Sequence, residues 1–322
     1  MPGSATLRQI VFLMVLVSAA AAARGESYVL PPEGNDLVGF LREVQVHPDE
    51  TLIDIGRRHS VGYEEMVRAN PGVDPWIPGG GTVVRLPTRF ILPPGPRDGL
   101  VINLPEYRLY YYPKVRKGEA PRVETYPISI GRMDWATPLG RHKVVTKVRD
   151  PAWYPPKSVK EEALAQGKEL PNVVPPGPDN PLGAYAIRLD IPGYLIHSTN
   201  KPAGVGMRVT HGCIRMFPED IEGLFPNVSV GTPVHVLNEP VKVGWASGEL
   251  YVEVHPPLEE DRAGRVRLEL TRLIEDASAG EASSVDWRRA GDAWSEARGY
   301  PEPIGADGAA QVANLDRAAR NP

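Results

Sequence analysis

The sequence predicts a mainly β protein: a β-sandwich of short strands, preceded by a small strand–helix–helix–strand unit and followed by a hairpin and helices. Three observations carry this expectation. Runs rich in Val, Ile and Tyr recur between Gly and Pro turns through the middle of the chain. The 35 prolines and 32 glycines among 322 residues are too many for a helical bundle. Helical spacing of apolar residues shows in two flanking stretches. With 42% hydrophobic and 24% charged residues the chain can bury a core and stay soluble. A net charge of -4 gives no reason to expect a nucleic-acid partner.

Residues 1–23 read as a secretory signal peptide. Arg8 supplies the positive region, residues 10–17 the apolar stretch, and Ala21 and Ala23 an Ala-x-Ala cleavage site. The alternative is an uncleaved anchor, for which the stretch is short. No cysteine follows it, which excludes lipoprotein anchoring there, and no later stretch could cross a membrane.

Residues 40–88 form a separate unit. A strand covers residues 44–46. Asp49 and Thr51 precede Leu52 and Ile55 as a capped helix start. Tyr63, Met66 and Val67 mark a second helix, stopped by Asn70-Pro71-Gly72, and residues 82–87 close with a strand. Residues 90–98, with Pro93, Pro94 and Pro96, are a stiff linker. From residue 99 to about 237 strands dominate, beginning with LVINLPEYRLYYYP and its turn at Pro105-Glu106. Residues 151–183 interrupt them. A loop of that length and proline content reads as a lid, with a short helix at 157–166. Residues 239–300 give a hairpin turning near Ser247-Gly248 and a helix around 266–274. A second helix follows, in which Trp287, Ala290, Trp294 and Ala297 form a stripe, with Ser284 as a possible cap. That stripe is expected to pack on the sandwich. Residues 301–322 are expected to be disordered.

Cys213 is the chain's one cysteine, so an exported chain of this sequence makes no internal disulfide. Such a thiol is a buried small hydrophobe or a reactive group. Its surroundings favour reaction. His197 closes an apolar strand at the edge of the lid, and Cys213 follows Thr210-His211-Gly212. A thiol needs a base to become a nucleophile at neutral pH. His197 is the best base. The side chain or carbonyl of Ser198 is placed to accept its other ring proton. Gly212 lets backbone approach a substrate, and the N–H groups of Gly212 and Cys213 are candidates for an oxyanion hole.

The order and spacing of His197 and Thr210-His211-Gly212-Cys213 resemble the signature of the L,D-transpeptidases with a YkuD-type catalytic domain. ATPLGRHKV, WYPP and NPLGAYAIRL also resemble segments of that family, over about residues 97–238. Residues 40–88 resemble a LysM-like domain, a module that binds glycan such as peptidoglycan; the alternative is a small packing domain without a ligand. The resemblance implies a Gram-negative periplasmic enzyme without cofactor or metal. Cys213 would attack the third residue of a peptidoglycan tetrapeptide stem and expel D-alanine. The thioester would pass to a stem amine, to a lysine of an envelope protein such as a lipoprotein, or to water. Carried over by position, Cys213 is the nucleophile, His197 the base and Ser198 its orienting carbonyl, with His211 structural or electrostatic. Arg215 holds a donor carboxylate or braces the loop. Thr210 donates a hydrogen bond. Asn180 and Gly183 shape the donor pocket. Trp153 and Tyr154 line the lid or belong to the core.

Two rival readings stand beside this one. His197, His211 and Cys213 are three of the residue types that bind zinc, but the spacing is tight and no fourth ligand is evident. A non-catalytic wall-binding protein is the other, and the intact signature argues against it. The remaining histidines, His47, His59, His142, His235 and His255, read as structural or surface residues.

Overall fold

The computed structural model describes residues 25–261, 263–278 and 285–305. The expected signal peptide, Ser284 and residues 306–322 lie outside the described residues. Among those described, no helix is long and apolar enough to cross a membrane.

The N-terminal part runs β1 (Glu26–Val29), β2 (Leu37–Gly39), β3 (Arg42–Gln45), α1 (Leu52–Arg58), α2 (Tyr63–Ala69), β4 (Val83–Leu86) and β5 (Arg89–Ile91). β3 and β4 pair antiparallel around the two helices, giving the strand–helix–helix–strand order. Thr51 caps α1: its hydroxyl accepts from Asp54 N at 3.1 Å, and the Asp54 carboxylate accepts from Thr51 N at 3.0 Å. Asn70 ends α2 and ties it to β4, donating to Met66 O and Arg85 O and accepting from Arg85 N. Leu52, Ile55, Met66, Val84 and Leu86 close a core of their own.

The central part contains β6 (Gly99–Asn103), β7 (Arg108–Tyr112), β8 (Arg122–Gly131), β9 (Gly140–Arg149), α3 (Lys157–Ala165), β10 (Tyr185–Leu189), β11 (Leu195–His197), β12 (Arg208–Thr210), β13 (Ile214–Met216), α4 (Pro218–Leu224) and β14 (Pro233–Leu237). The pairing runs β8-β13-β11-β10-β9-β14-β6-β7 and returns to β8. Two 10-residue strands make this closure. β8 pairs β7 through residues 124–127 and β13 through 128–129. β9 pairs β14 through residues 140–143 and β10 through 144–149. The two layers of the expected sandwich therefore share β8 and β9 and form one sheet closed on itself, which leaves few open edges. Alternating residues such as Leu100 and Ile102, or Val234 and Val236, fill its interior.

The C-terminal part is β15 (Val241–Ala246), β16 (Glu249–Val254), α5 (Ala263–Ala277), α6 (Trp287–Glu296) and β17 (Glu302–Pro303). Ser247 and Gly248, both at positive φ, turn the hairpin. Three expectations change here. The α6 stripe packs on its own three-stranded sheet, with Ala290 and Ala293 beside Leu250, Val252 and Ile304, and not on the central domain. Trp287 stands 40% exposed. The cap of α6 is Asp286, which accepts from Arg288 N and Arg289 N at 3.1 Å. Residues 301–305, expected to belong to a disordered tail, are held in the fold, because β17 pairs β16 and Val285 bridges Gly305.

Candidate active site

The site lies on one face of four neighbouring strands. β11 runs parallel to β13 and sets His197 opposite Arg215. β10 runs antiparallel to β11, with Ala186 opposite His197 and Arg188 opposite Leu195. Strand alternation then sends Ala186, Arg188, Leu195, His197, Cys213 and Arg215 to the same side. All six line a cavity of about 560 Å³ with His211, Thr210, Trp153 and Tyr154.

Cys213 precedes β13, and its thiol donates to Gly193 O at 3.5 Å. Burial pushes the thiol above its ordinary value, while a backbone hydrogen bond from Leu195 and the charge of Arg215 oppose that. His197 is buried, and its Nδ1–H donates to Ser198 O at 2.6 Å. The backbone carbonyl, not the Ser198 hydroxyl, thus fixes the tautomer and leaves Nε2 as a base. Burial, followed by the Arg215 charge, lowers His197 to about 3. The pair therefore rests as thiol and neutral imidazole.

Gly212 sits at φ +95, and a Cβ there would lie 2.7 Å from Tyr194, so the turn requires glycine. Its N–H donates to the Thr210 hydroxyl at 3.1 Å, and that hydroxyl donates to Cys213 O at 2.6 Å. Thr210 does donate a hydrogen bond, but the expected Gly212 oxyanion donor is consumed inside the loop. His211 faces the lid: its Nε2–H donates to the Glu162 carboxylate at 2.6 Å, and Trp135 meets its ring edge to face at 5.2 Å. Arg132 binds both Glu162 oxygens at 2.8 and 2.9 Å. Glu162, Arg132 and Trp135 escape sequence reasoning, because their partners are remote in the chain and no local motif marks them; Arg188, within NPLGAYAIRL, escapes it because only the strand register turns it to the cavity.

Asn180 does not line the cavity. It is fully buried, donates to Pro151 O, Val174 O and Pro175 O, and accepts from Leu182 N, which knots the two ends of the lid. Gly183 is likewise off the cavity lining. At φ +62 it packs under Ser198, where a Cβ would come within 2.6 Å. Trp153 bridges Val174 across the lid, and Tyr154 is 71% exposed at its rim. Arg215 is largely buried, and its Nε has no partner among the described residues. Among the described residues, the potential metal ligands that do converge are Glu106, Glu253 and His255, remote from this cavity, and the Lys242 ammonium binds both carboxylates there. Of the other histidines, His142 meets Asp190, His235 meets Asp98 and His255 meets Glu253.

A half-buried cysteine just before one strand and a buried, carbonyl-oriented histidine at the end of the neighbouring strand, closed over by a lid, make up a cysteine–histidine pair. Comparison with known proteins gives the family of the chain. The YkuD family, described as the L,D-transpeptidase catalytic domain, matches residues 97–236. The chain is 43% identical over 250 residues to the probable L,D-transpeptidase YcfS of Escherichia coli K12, covering 76% of this chain and 77% of that protein. It is 38% identical over 304 residues to the probable L,D-transpeptidase ErfK/SrfK of Salmonella typhimurium LT2, covering 92% and 96%. Among solved structures it is similar to L,D-transpeptidase 3 from Mycobacterium tuberculosis, at 22% identity and TM-score 0.32 over 48% of this chain and 67% of that one. The chain belongs to the L,D-transpeptidase family.

Proposed function

We propose that the protein is a periplasmic peptidoglycan L,D-transpeptidase that works through a Cys213 thioester. Cys213 Sγ attacks the carbonyl of the third residue of a tetrapeptide stem as His197 Nε2 takes the thiol proton. Collapse of the tetrahedral adduct breaks the peptide bond, and His197 returns that proton to the departing D-alanine amine. An acceptor amine, from another stem or from a lysine of an envelope protein, attacks the thioester and restores the thiol. Arg215 holds a donor carboxylate through its planar fork. The LysM-like unit holds glycan near the site. The observation that carries this reading is the shared cavity of Cys213, the Ser198-oriented His197 and the unpaired Arg215.

The test is incubation with tetrapeptide-rich sacculi and mass spectrometry of the muropeptides. Cross-linked dimers or a protein-derived peptide on the stem are expected. Loss of D-alanine alone would name a hydrolase. Identical, unchanged stems with wild type and Cys213→Ser would end the proposal.

A further inference from the structure

We propose that Arg188 is a specificity-determining residue that holds a second carboxylate of the acyl donor, distinct from the one at Arg215. The inference rests on the donor chemistry proposed above and extends it.

The strand registers place the two arginines on opposite sides of the chemistry. Arg215 shares a row with His197 and Ala186, and Arg188 shares the next row with Leu195 and, across β11, Cys213. Strands stand about 4.8 Å apart and residues rise about 3.3 Å along them. Arg215 is therefore roughly 7 Å along the strand from Cys213, and Arg188 roughly 10 Å across the sheet. Leu195 separates Arg188 from the sulfur. The thiol accordingly feels the charge of Arg215 and not that of Arg188, which suits Arg188 to binding rather than to activating the nucleophile.

Both arginines line the cavity, and no Asp or Glu lines it with them. Neither forms an ion pair among the described residues, whereas Arg57, Arg108, Arg132 and Arg208 each meet a glutamate. Two uncompensated cations facing one cavity raise the local concentration of anions and favour a ligand with two acidic groups. A tetrapeptide stem ending in D-alanine supplies them. Besides its terminal carboxylate it carries one on the side chain of a diaminopimelate third residue and one on the glutamate before it. With the carbonyl of the third residue at Cys213, the fork of Arg215 is filled by one carboxylate and that of Arg188 by another across the sheet.

The test measures kcat/KM for D-alanine release by the full chain and by Arg188→Gln. Three donors are compared: the free stem, the stem amidated on the third residue's side chain, and the stem amidated on the second residue. Wild type is expected to lose about 10- to 100-fold on one amidated stem, the loss typical of a charge-assisted fork. Arg188→Gln should show that loss on the free stem, mostly in KM, and no further loss on the same amide. The amide that cancels the difference identifies the carboxylate. Arg188→Lys, which keeps the charge without the fork, should fall between. Unchanged thermal unfolding shows that the variants fold. An equal loss on all three donors, or none, overturns the role of Arg188 and leaves the proposed function standing. Failure of wild type to release D-alanine from any donor ends the proposed function, and this inference with it.

Discussion

At the scale of single residues, the resting state of Cys213 and His197 has a pH signature. Papain-type sites hold a thiolate beside an imidazolium, with a depressed thiol pKa. Here burial raises the thiol and holds His197 near 3, so both groups are neutral at pH 7. Alkylation of Cys213 by iodoacetamide should climb with pH through the alkaline range, with no thiolate absorbance near neutrality that Cys213→Ser removes. A thiolate titrating near pH 5 would contradict this. The same shift links to stability. Unfolded His197 titrates at its ordinary 6.5 and the folded residue near 3, so unfolding takes up a proton between those values. Stability should fall as pH drops below 6.5, by at most about 1.4 kcal/mol per pH unit from this group. His197→Gln should flatten that slope in denaturant titrations. The pairing of Cys213 with His197 at one cavity was legible in sequence because residue type and spacing mark them as candidate nucleophile and base. The fate of the Gly212 N–H was not, because it depends on where a turn at φ +95 aims the backbone.

At the scale of elements, the lid is a helix held by charge. α3 presents Glu162 to His211 and Arg132, on the loop before Cys213 and just after β8. His211 and Arg132 hold the Glu162 carboxylate below its ordinary range. Glu162→Gln keeps the shape and removes the charge. It should raise amide exchange across residues 157–165 and let more thioester go to water instead of amine. The expected change in that partition is a few-fold, since exposed ion pairs are weak. Equal exchange and equal partition in the two proteins would show that Glu162 does not hold the lid. The lid and its helix could be read from the proline-rich gap of residues 151–183. The partner of Glu162 could not, as 49 residues separate it from His211. Asn180 shows the converse: a residue suited to a pocket by type proved to be a buried knot, because its four polar contacts all lie within the lid.

At the scale of the whole molecule, the segment leading to Cys213 is held by both flanking units. The first residues of α2 donate to Val205 O and Gly206 O, each at 3.2 Å. From the C-terminal side, Glu260 pairs with Arg208 of β12 at 2.9 and 3.0 Å. The N-terminal unit is seated by Glu65 of α2, which binds Arg108 of β7 at 2.7 Å with both side chains buried. Arg108 also donates to Thr125 Oγ1 and Ser60 O and lies over the Phe90 ring. No single segment of the sequence encodes this docking, since a buried Glu–Arg pair 43 residues apart looks like two surface charges until the fold brings them together. Removing one member strands the other charge, which typically costs roughly 3–5 kcal/mol, whereas an apolar pair of similar volume is often neutral. Glu65→Ala should therefore lower the unfolding midpoint sharply, and Glu65→Leu with Arg108→Met should recover most of it. The same seat predicts a kinetic effect. Below its unfolding temperature, Glu65→Ala should change the alkylation rate of Cys213, because the chain from Val205 to Thr210 loses its support on one side. If Glu65→Ala is destabilised yet Cys213 reacts at the wild-type rate, the N-terminal unit only stabilises the molecule and does not shape the surroundings of Cys213.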